Sequence, residues 1–401
     1  MTVKMSNLRV LKQSLRIYSK CILPRPLFHC PHRAFSFSTP TLANRALIFR
    51  SNGNPAEVLS AVTYPTLPPP SPDQINISFR LSPINPSDIN VIEGVYPSKP
   101  SATTFFCQGH QLENPVFVPG NEGLAEVTDI GKNVKGFKKG DWVILAIQQG
   151  GTWSSAKTVD AKDVIKLPSS FSEVNAATIT VNPPTAYNML HDFIDLKEGD
   201  WIMQNGANSA LGQAVIQIAA RKGWKTLNFV RSRNDFDALK SHLSALGATQ
   251  VVTYDELSDK AFRDKVKGWT GGKIRLMLNG VSGRVTTAMM RHLGQDAHIV
   301  SYGAMSKEPL SFPTSLFIFK NITAHGFWQS RWYHNKSKEE REQLMENLAE
   351  MKLQEPEHEI VTLPGTKSDE DTAKSVQNLI SKMSEGKYGK KVLLKIEGPA
   401  D

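Results

Sequence analysis

Trp201-Ile202-Met203-Gln204-Asn205-Gly206-Ala207-Asn208-Ser209-Ala210-Leu211-Gly212 reads as a short apolar strand, a turn of small residues and the start of a helix. Small side chains in such a turn let the backbone approach a pyrophosphate, and the free amides at the helix start meet its charge. The glycine pattern of a dinucleotide loop is broken, because Ala207 and Ser209 stand where the first two glycines would be and only Gly212 is kept. Its placement between strand and helix therefore carries more weight than the motif itself.

Outward from this loop the alternation continues. A helix through 214–221, a strand over 226–230, a helix over 238–246 and strands over 250–253, 276–278 and 298–301 predict a parallel, doubly wound sheet. Beyond it, 337–351 predicts a helix with Leu344, Leu348 and Met351 on one face, and 390–396 a closing strand. Upstream, from about 44 to 180, short strands over 45–49, 74–81, 123–130 and 142–146 are separated by Pro, Gly, Asn and Asp. The expected fold class is α/β: a β-rich, barrel-like domain joined to a Rossmann-type nucleotide-binding domain.

The end of the second strand of such a sheet usually separates the two nicotinamide cofactors. Here it reads Val230-Arg231-Ser232-Arg233, with no acid until Asp235. Two guanidinium groups favour an added phosphate, hence NADPH, although a solvated basic turn would look the same.

The formal charge of +9 invites a nucleic-acid reading, but nine of the 47 Lys and Arg lie in the first fifty residues, before the first acid, Glu57. That leaves 38 basic residues against 38 acidic ones, so the body is formally neutral and offers no broad attraction for nucleic acid. The acid-free start, with Leu8, Leu11, Leu15 and Tyr18 at helical spacing and Arg9, Lys12 and Arg16 on another face, fits a mitochondrial transit peptide; a basic arm is the alternative. Arg33-Ala34-Phe35-Ser36-Phe37-Ser38 resembles a two-step processing site and sets the expected mature start near Ala43. No apolar run reaches membrane-spanning length. Of Cys21, Cys30 and Cys107, only the last would remain after processing, so neither a disulfide framework nor a cysteine-rich zinc site is expected. Cys107, with His110 as its one neighbouring imidazole, reads as incidental.

One further stretch bears on chemistry: Gly94-Val95-Tyr96-Pro97-Ser98-Lys99-Pro100, just after Asn85-Pro86-Ser87-Asp88-Ile89-Asn90. A tyrosine between Gly94 and Pro97 has little backbone freedom, and its neutral phenol has one proton to give; beside a hydride carrier that suggests reduction. Taken alone, the residue would equally suit an ordinary half-buried tyrosine in a proline-rich turn.

Together these stretches resemble the medium-chain dehydrogenase/reductase superfamily, and within it the mitochondrial enoyl-[acyl-carrier-protein] reductases, also called trans-2-enoyl-CoA reductases. The resemblance runs from about 44 to 396 and includes Pro119-Gly120-Asn121-Glu122-Gly123, Val181-Asn182-Pro183, Tyr302 to Met305 and Phe317 to Trp328. It implies a transit peptide over 1–42, a catalytic domain from 43–180 and 329–401, and an NADPH-binding domain over 181–328. It further implies NADPH-dependent reduction of 2-enoyl thioesters in the mitochondrial matrix, with Tyr96 as proton donor and an acyl carrier protein as partner. Cofactor contacts carried over by the resemblance are Asn182, Asn208, Ser209, Ala210, Leu211, Arg231, Ser232, Arg233, Tyr302, Gly303, Ala304, Met305, Phe327, Trp328, Gln329 and Lys390; Trp328 is also expected to shape the acyl pocket. Zinc alcohol dehydrogenases of the superfamily carry Gly-His-Glu where this chain has Gly120-Asn121-Glu122, so no metal is expected. Three departures stand out: Ser232 replaces an acid between the arginines, Ala304 replaces a glycine, and Gly280 with Ser282 alters a Cys-Val-Gly-Gly run. A homodimer and a basic patch from Lys99, Arg331 and Lys336 for an acidic carrier protein are expected as well. The competing readings are an NADPH:quinone reductase, which would not need Tyr96, and a non-catalytic nucleotide- or RNA-binding relative.

Overall fold

The central strands from Trp201 onward are buried at nearly every position, which requires cover on both faces, and the chain supplies it with helices. The computed structural model describes residues 42–107, 110–111, 115–385 and 389–399; the predicted leader, apart from its last residue Leu42, lies outside them. Six strands pair in the order Gln250–Thr253, Lys225–Val230, Trp201–Gln204, Ile274–Asn279, His298–Ser301 and Thr323–Gly326, every pair parallel. Met203, Met277 and Ile299 face one side, against Phe262, Val266 and Met289. Ile202, Leu276, Leu278 and Val300 face the other, against Val215 and Ile218 of the helix Ala210–Arg221 and Met189 of the helix Asn182–His191. The strand order reverses beside Trp201–Gln204, and that reversal opens a crevice at the carboxyl ends of the strands.

The second sheet is mixed. Its path runs Val164–Lys166, Trp142–Leu145, Leu124–Ile130, Gln74–Pro83, Lys391–Ile396, His358–Leu363, with Ala156–Asp160 also paired to Gln74–Pro83. The C-terminal strand Lys391–Ile396 thus closes against a strand more than three hundred residues upstream. Leu344, Met345 and Leu348 of the helix Lys338–Glu350 cover Leu81, Ile144 and Leu393. Met345 shares this buried face with Leu344 and Leu348, and Met351 is packed only at its margin.

Several elements escape the periodicity reading, and two of the helices among them show why. The sixteen-residue helix Asp369–Ser384 buries Ala373, Val376, Leu379 and Ile380, spaced three, three and one apart within a strongly charged sequence. Its signal was the start: Ser368 caps the Asp371 amide, and three acids fill the first turn. The helix Pro86–Glu93 was hidden in a segment that reads as a turn; Pro86 sits at its first position, where no amide is needed.

Arg45 corrects the charge reading. It was counted with the basic start of the chain, yet it is 2% exposed, and its guanidinium bonds Asp369 Oδ1 at 3.0 Å, the Pro364 carbonyl and Thr372. A buried guanidinium needs all its donors met, so this charge fastens the first strand to the last helix.

Candidate active site

The tyrosine is delivered by a helix end. The helix Pro86–Glu93 stops at Gly94, whose φ of +83° is the left-handed cap conformation, and the amides of Val95 and Tyr96 both donate to the Asn90 carbonyl. Glycine is required here twice over, because a Cβ would lie 2.8 Å from the Asn52 side chain. Asn52, which the sequence did not flag, donates through Nδ2 to the carbonyls of Val91 and Ile92 and so finishes the same helix end.

The chain fold brings Tyr96 to Trp328, 232 residues away. The Trp328 indole N–H donates to the Tyr96 hydroxyl oxygen at 2.8 Å, and the rings meet edge to face with centroids 6.0 Å apart. The phenol oxygen is therefore already an acceptor, and its own proton is left to point elsewhere. Burial pushes the Tyr96 phenol up from its ordinary value, opposed first by the Trp328 indole N–H, with the charge of Asp88 adding to the rise. The group stays protonated well above neutrality. Ser330 donates to Gln148 Oε1 at 2.7 Å.

The parallel register gathers the cofactor candidates along one edge. Asn205 to Gly212, Val230 to Arg233, Gly280 to Ser282, Tyr302 to Met305 and Phe327 to Gln329 each follow the carboxyl end of a strand. Asn205 is the lock: its Nδ2 donates to Asn279 and Thr286, and its Oδ1 accepts the Gly280 amide at 2.8 Å. Ser209 caps the helix Ala210–Arg221 by accepting the Gly212 amide, so the hydroxyl in place of a glycine has a local use. Gly212 is kept for contact: a Cβ there would lie 2.5 Å from the Ala207 carbonyl oxygen. Asn182 and Ala210 line one cleft together with Gln213 and Gln354. Tyr254 was missed by the sequence reading; its hydroxyl accepts the Gly206 amide at 2.8 Å, inside the glycine loop itself.

The basic turn is less bare in space than in sequence. Register pairs Val230 with Thr253, so the segments after these strands leave side by side. Ser232 donates to Asp255, and Arg233 pairs with Asp235. The acid missing between the arginines thus comes from the neighbouring strand end. Lys390 is exposed and lies 3.3 Å from Glu357. The altered loop after Ile274–Asn279 carries a cost: Ser282 adopts φ +72° and ψ −168°, a region that glycine occupies freely, and is held there by the Asn279 side chain and the Glu308 carbonyl.

Asn121 stands where a metal-binding imidazole sits in zinc relatives, and its Oδ1 accepts the Gln149 amide at 2.8 Å. Among the described residues no three His, Cys, Asp or Glu side chains gather as a metal site. No helix among them is long and apolar enough to cross a membrane. Lys336 is paired with Glu340, and the Arg331 guanidinium lies 6.0 Å from the Trp328 ring centre. Cys107 pairs across two-residue strands with His110.

The crevice has the marks of a dinucleotide site: a small-residue loop at a helix start, a helix–loop contact that admits only glycine, and two guanidinium side chains at the second strand end. It also leaves a buried amide donor, Nε2 of Gln329, without a protein partner next to Trp328.

Comparison with known proteins agrees with this geometry. Residues 71–169 match the alcohol dehydrogenase GroES-like domain, and 210–350 the zinc-binding dehydrogenase domain. The mitochondrial enoyl-[acyl-carrier-protein] reductase of Yarrowia lipolytica is 42% identical over 386 residues, 95% of this chain and 98% of that protein. Among solved structures, the Etr1p/NADP/crotonyl-CoA complex superposes with a TM-score of 0.81 at 33% identity, covering 88% of this chain and all of that one. The mitochondrial 2-enoyl thioester reductase Etr1p/Etr2p heterodimer from Candida tropicalis gives 0.80 at 34%, with the same coverage. A quinone reductase from Bacillus thuringiensis, described as putative, reaches 0.72 at 20% identity, a likeness of fold alone.

Proposed function

The chain belongs to the mitochondrial enoyl-[acyl-carrier-protein] reductases of the medium-chain dehydrogenase/reductase superfamily, and from that premise we propose that Tyr96 is the proton donor of its reaction. The activity is NADPH-dependent reduction of a 2-enoyl thioester in the mitochondrion. The observation that carries the role of Tyr96 is the indole N–H of Trp328 on its hydroxyl oxygen.

Bound NADPH would supply the hydride that the β-carbon takes up. The alkene electron pair then moves toward the thioester carbonyl, leaving an enolate that is basic at the α-carbon. Tyr96 gives its proton to that carbon, completing the saturated thioester, and recovers one from solvent. As the phenol loses its proton, charge grows on the oxygen that already accepts from Trp328, so that bond strengthens toward the transition state. Burial keeps the proton on Tyr96 until a strong base forms beside it.

In this reading Asn208 to Leu211 would hold the pyrophosphate, and Arg231, Ser232 and Arg233 the added phosphate. Arg233 would exchange Asp235 for the phosphate, an exposed pair that gives way at little cost. Asn182, Tyr302 to Met305, Phe327 to Gln329 and Lys390 complete the contacts. On the proposed division into 43–180 with 329–401 and 181–328, Tyr96 would belong to one domain and Trp328 to the end of the other. An acidic carrier protein would approach Arg331 and Lys99. A second copy would pair through the sheet edge Thr323–Gly326, beside which Ile318 and Phe319 are 67% and 74% exposed.

The test is NADPH consumption with a short trans-2-enoyl-CoA, alongside NADH, a quinone and Tyr96→Phe. We expect kcat to fall roughly 10²- to 10⁴-fold in the variant with NADPH affinity unchanged. Quinone turnover indifferent to Tyr96, without enoyl reduction, would overturn the assignment.

A further inference from the structure

Beneath the tyrosine helix lies a buried charged cluster that the reaction as described does not use. Asp88 is 0% exposed; its Oδ2 accepts the Asn85 amide at 2.8 Å and its Oδ1 the Asn121 amide at 3.0 Å. Asn85 Nδ2 donates to Glu122 Oε1 at 2.8 Å, and Thr180 donates to the other Glu122 oxygen at 3.3 Å. Lys391, at the start of the closing strand, reaches Asn85 Oδ1 and lies 3.4 Å from Glu122. Two carboxyl groups and one ammonium are thus enclosed where a solvated helix start would need none of them.

We propose that Asp88 is a positioning residue for the reduction, holding the helix that carries Tyr96 in register with the loop that borders its hydroxyl; this rests on the reading of Tyr96 as proton donor. Helix capping explains the bond to the Asn85 amide, since Asp88 is the third residue of the helix. It does not explain the bond to Asn121, which belongs to another segment. From Asn121 the path continues outward: its side-chain oxygen accepts the Gln149 amide, and the neighbouring Gln148 accepts from Ser330, two residues beyond Trp328, whose indole N–H reaches the Tyr96 hydroxyl. Gln149 is held at φ +54° and is 95% buried, with neither side-chain polar atom partnered. A backbone so disposed keeps its place only while its anchors do. Asp88 therefore controls both sides of the phenol: the helix end behind it and the Gln148–Ser330 contact in front.

The anchor works as a carboxylate. Ionised Asp88 offers an acceptor to each amide, whereas the protonated acid turns one oxygen into a hydroxyl that competes with an N–H donor. Burial, with the Glu122 charge, pushes Asp88 up to about 7 against the lowering effect of its amide bonds and Lys391. The other titratable group facing it is Tyr96 itself. The anchor is accordingly complete above that pH and released below it.

The experiment is kcat against pH, from about 5.5 to 9, for wild type, Asp88→Asn and Lys391→Met with NADPH and crotonyl-CoA, with Tyr96→Phe as control. Wild type should lose kcat on an acid limb centred near 7. Asp88→Asn, which sets an amide donor against a backbone donor, should lower kcat about tenfold at pH 8, leave both KM values within about twofold, and abolish the limb. Lys391→Met, by removing the cation that favours ionisation, should move the limb to higher pH. An acid limb that persists in Asp88→Asn, or a loss of rate that only tracks raised KM, overturns the proposal. Should Asp88→Asn fail to fold, Lys391→Met decides alone, and an unmoved limb overturns it. Enoyl reduction that is indifferent to Tyr96→Phe refutes the donor assignment; reduction that depends on Tyr96 but shows no limb refutes the role of Asp88 only.

Discussion

Gly212→Ala sets two physical expectations against each other. On helix propensity alone, replacing a glycine inside Ala210–Arg221 by alanine favours folding by about 1 kcal/mol. The tertiary contact says the reverse: the new Cβ would lie 2.5 Å from the Ala207 carbonyl oxygen. An ordinary carbon–oxygen contact is roughly 3.4 Å, so the helix start and the loop must separate by almost 1 Å, and neither partner is a side chain that can rotate away. Overpacking of that kind costs about 1–3 kcal/mol, enough to cancel or exceed the gain. The displacement also pulls on the Gln204 Nε2 bond to the Gly212 carbonyl, 3.0 Å, and on the Ser209 cap, 3.1 Å. On the proposal that the amides of this helix start hold the pyrophosphate, the expected outcome is NADPH binding weakened about tenfold or more, with the KM for the enoyl thioester unchanged once NADPH is saturating. Urea unfolding and NADPH fluorescence titration read the two effects separately. A variant more stable than wild type with unaltered NADPH affinity would refute the close-contact argument.

Arg231→Ala combined with Arg233→Ala should raise the KM for NADPH by roughly 10- to 100-fold and leave that for NADH nearly unchanged, because the added phosphate is the one group the two cofactors do not share; equal losses with both cofactors would show that the turn merely supports the fold. His292 is half-buried against Phe262, and burial, with Arg263 and Lys320 nearby, lowers it to about 4. The unfolded chain therefore binds the proton first, so this contribution to stability is present above about pH 6.5 and is lost as the pH falls toward 4. His292→Gln should flatten that part of the stability profile in urea melts collected across this range; an unchanged slope would exclude His292 as its source.

What the sequence settled by itself was local and periodic. Alternation after Trp201 exposed the parallel sheet, because strands buried on both faces and amphipathic helices differ in residue period. The small-residue loop ending at Gly212 marked the crevice, and the Gly94-to-Pro100 stretch marked Tyr96, because backbone freedom is written in glycine and proline. Tertiary structure decided how these pieces meet. The bond from Trp328 to Tyr96, Tyr254 on the Gly206 amide, Asp255 beside Ser232 and Asp88 on Asn121 all join residues at least 23 positions apart. None leaves a period or a turn signal. Each follows from strand register, which sets side by side the chain ends that leave one sheet edge, and from burial, which obliges every enclosed polar group to find a partner wherever in the chain one lies.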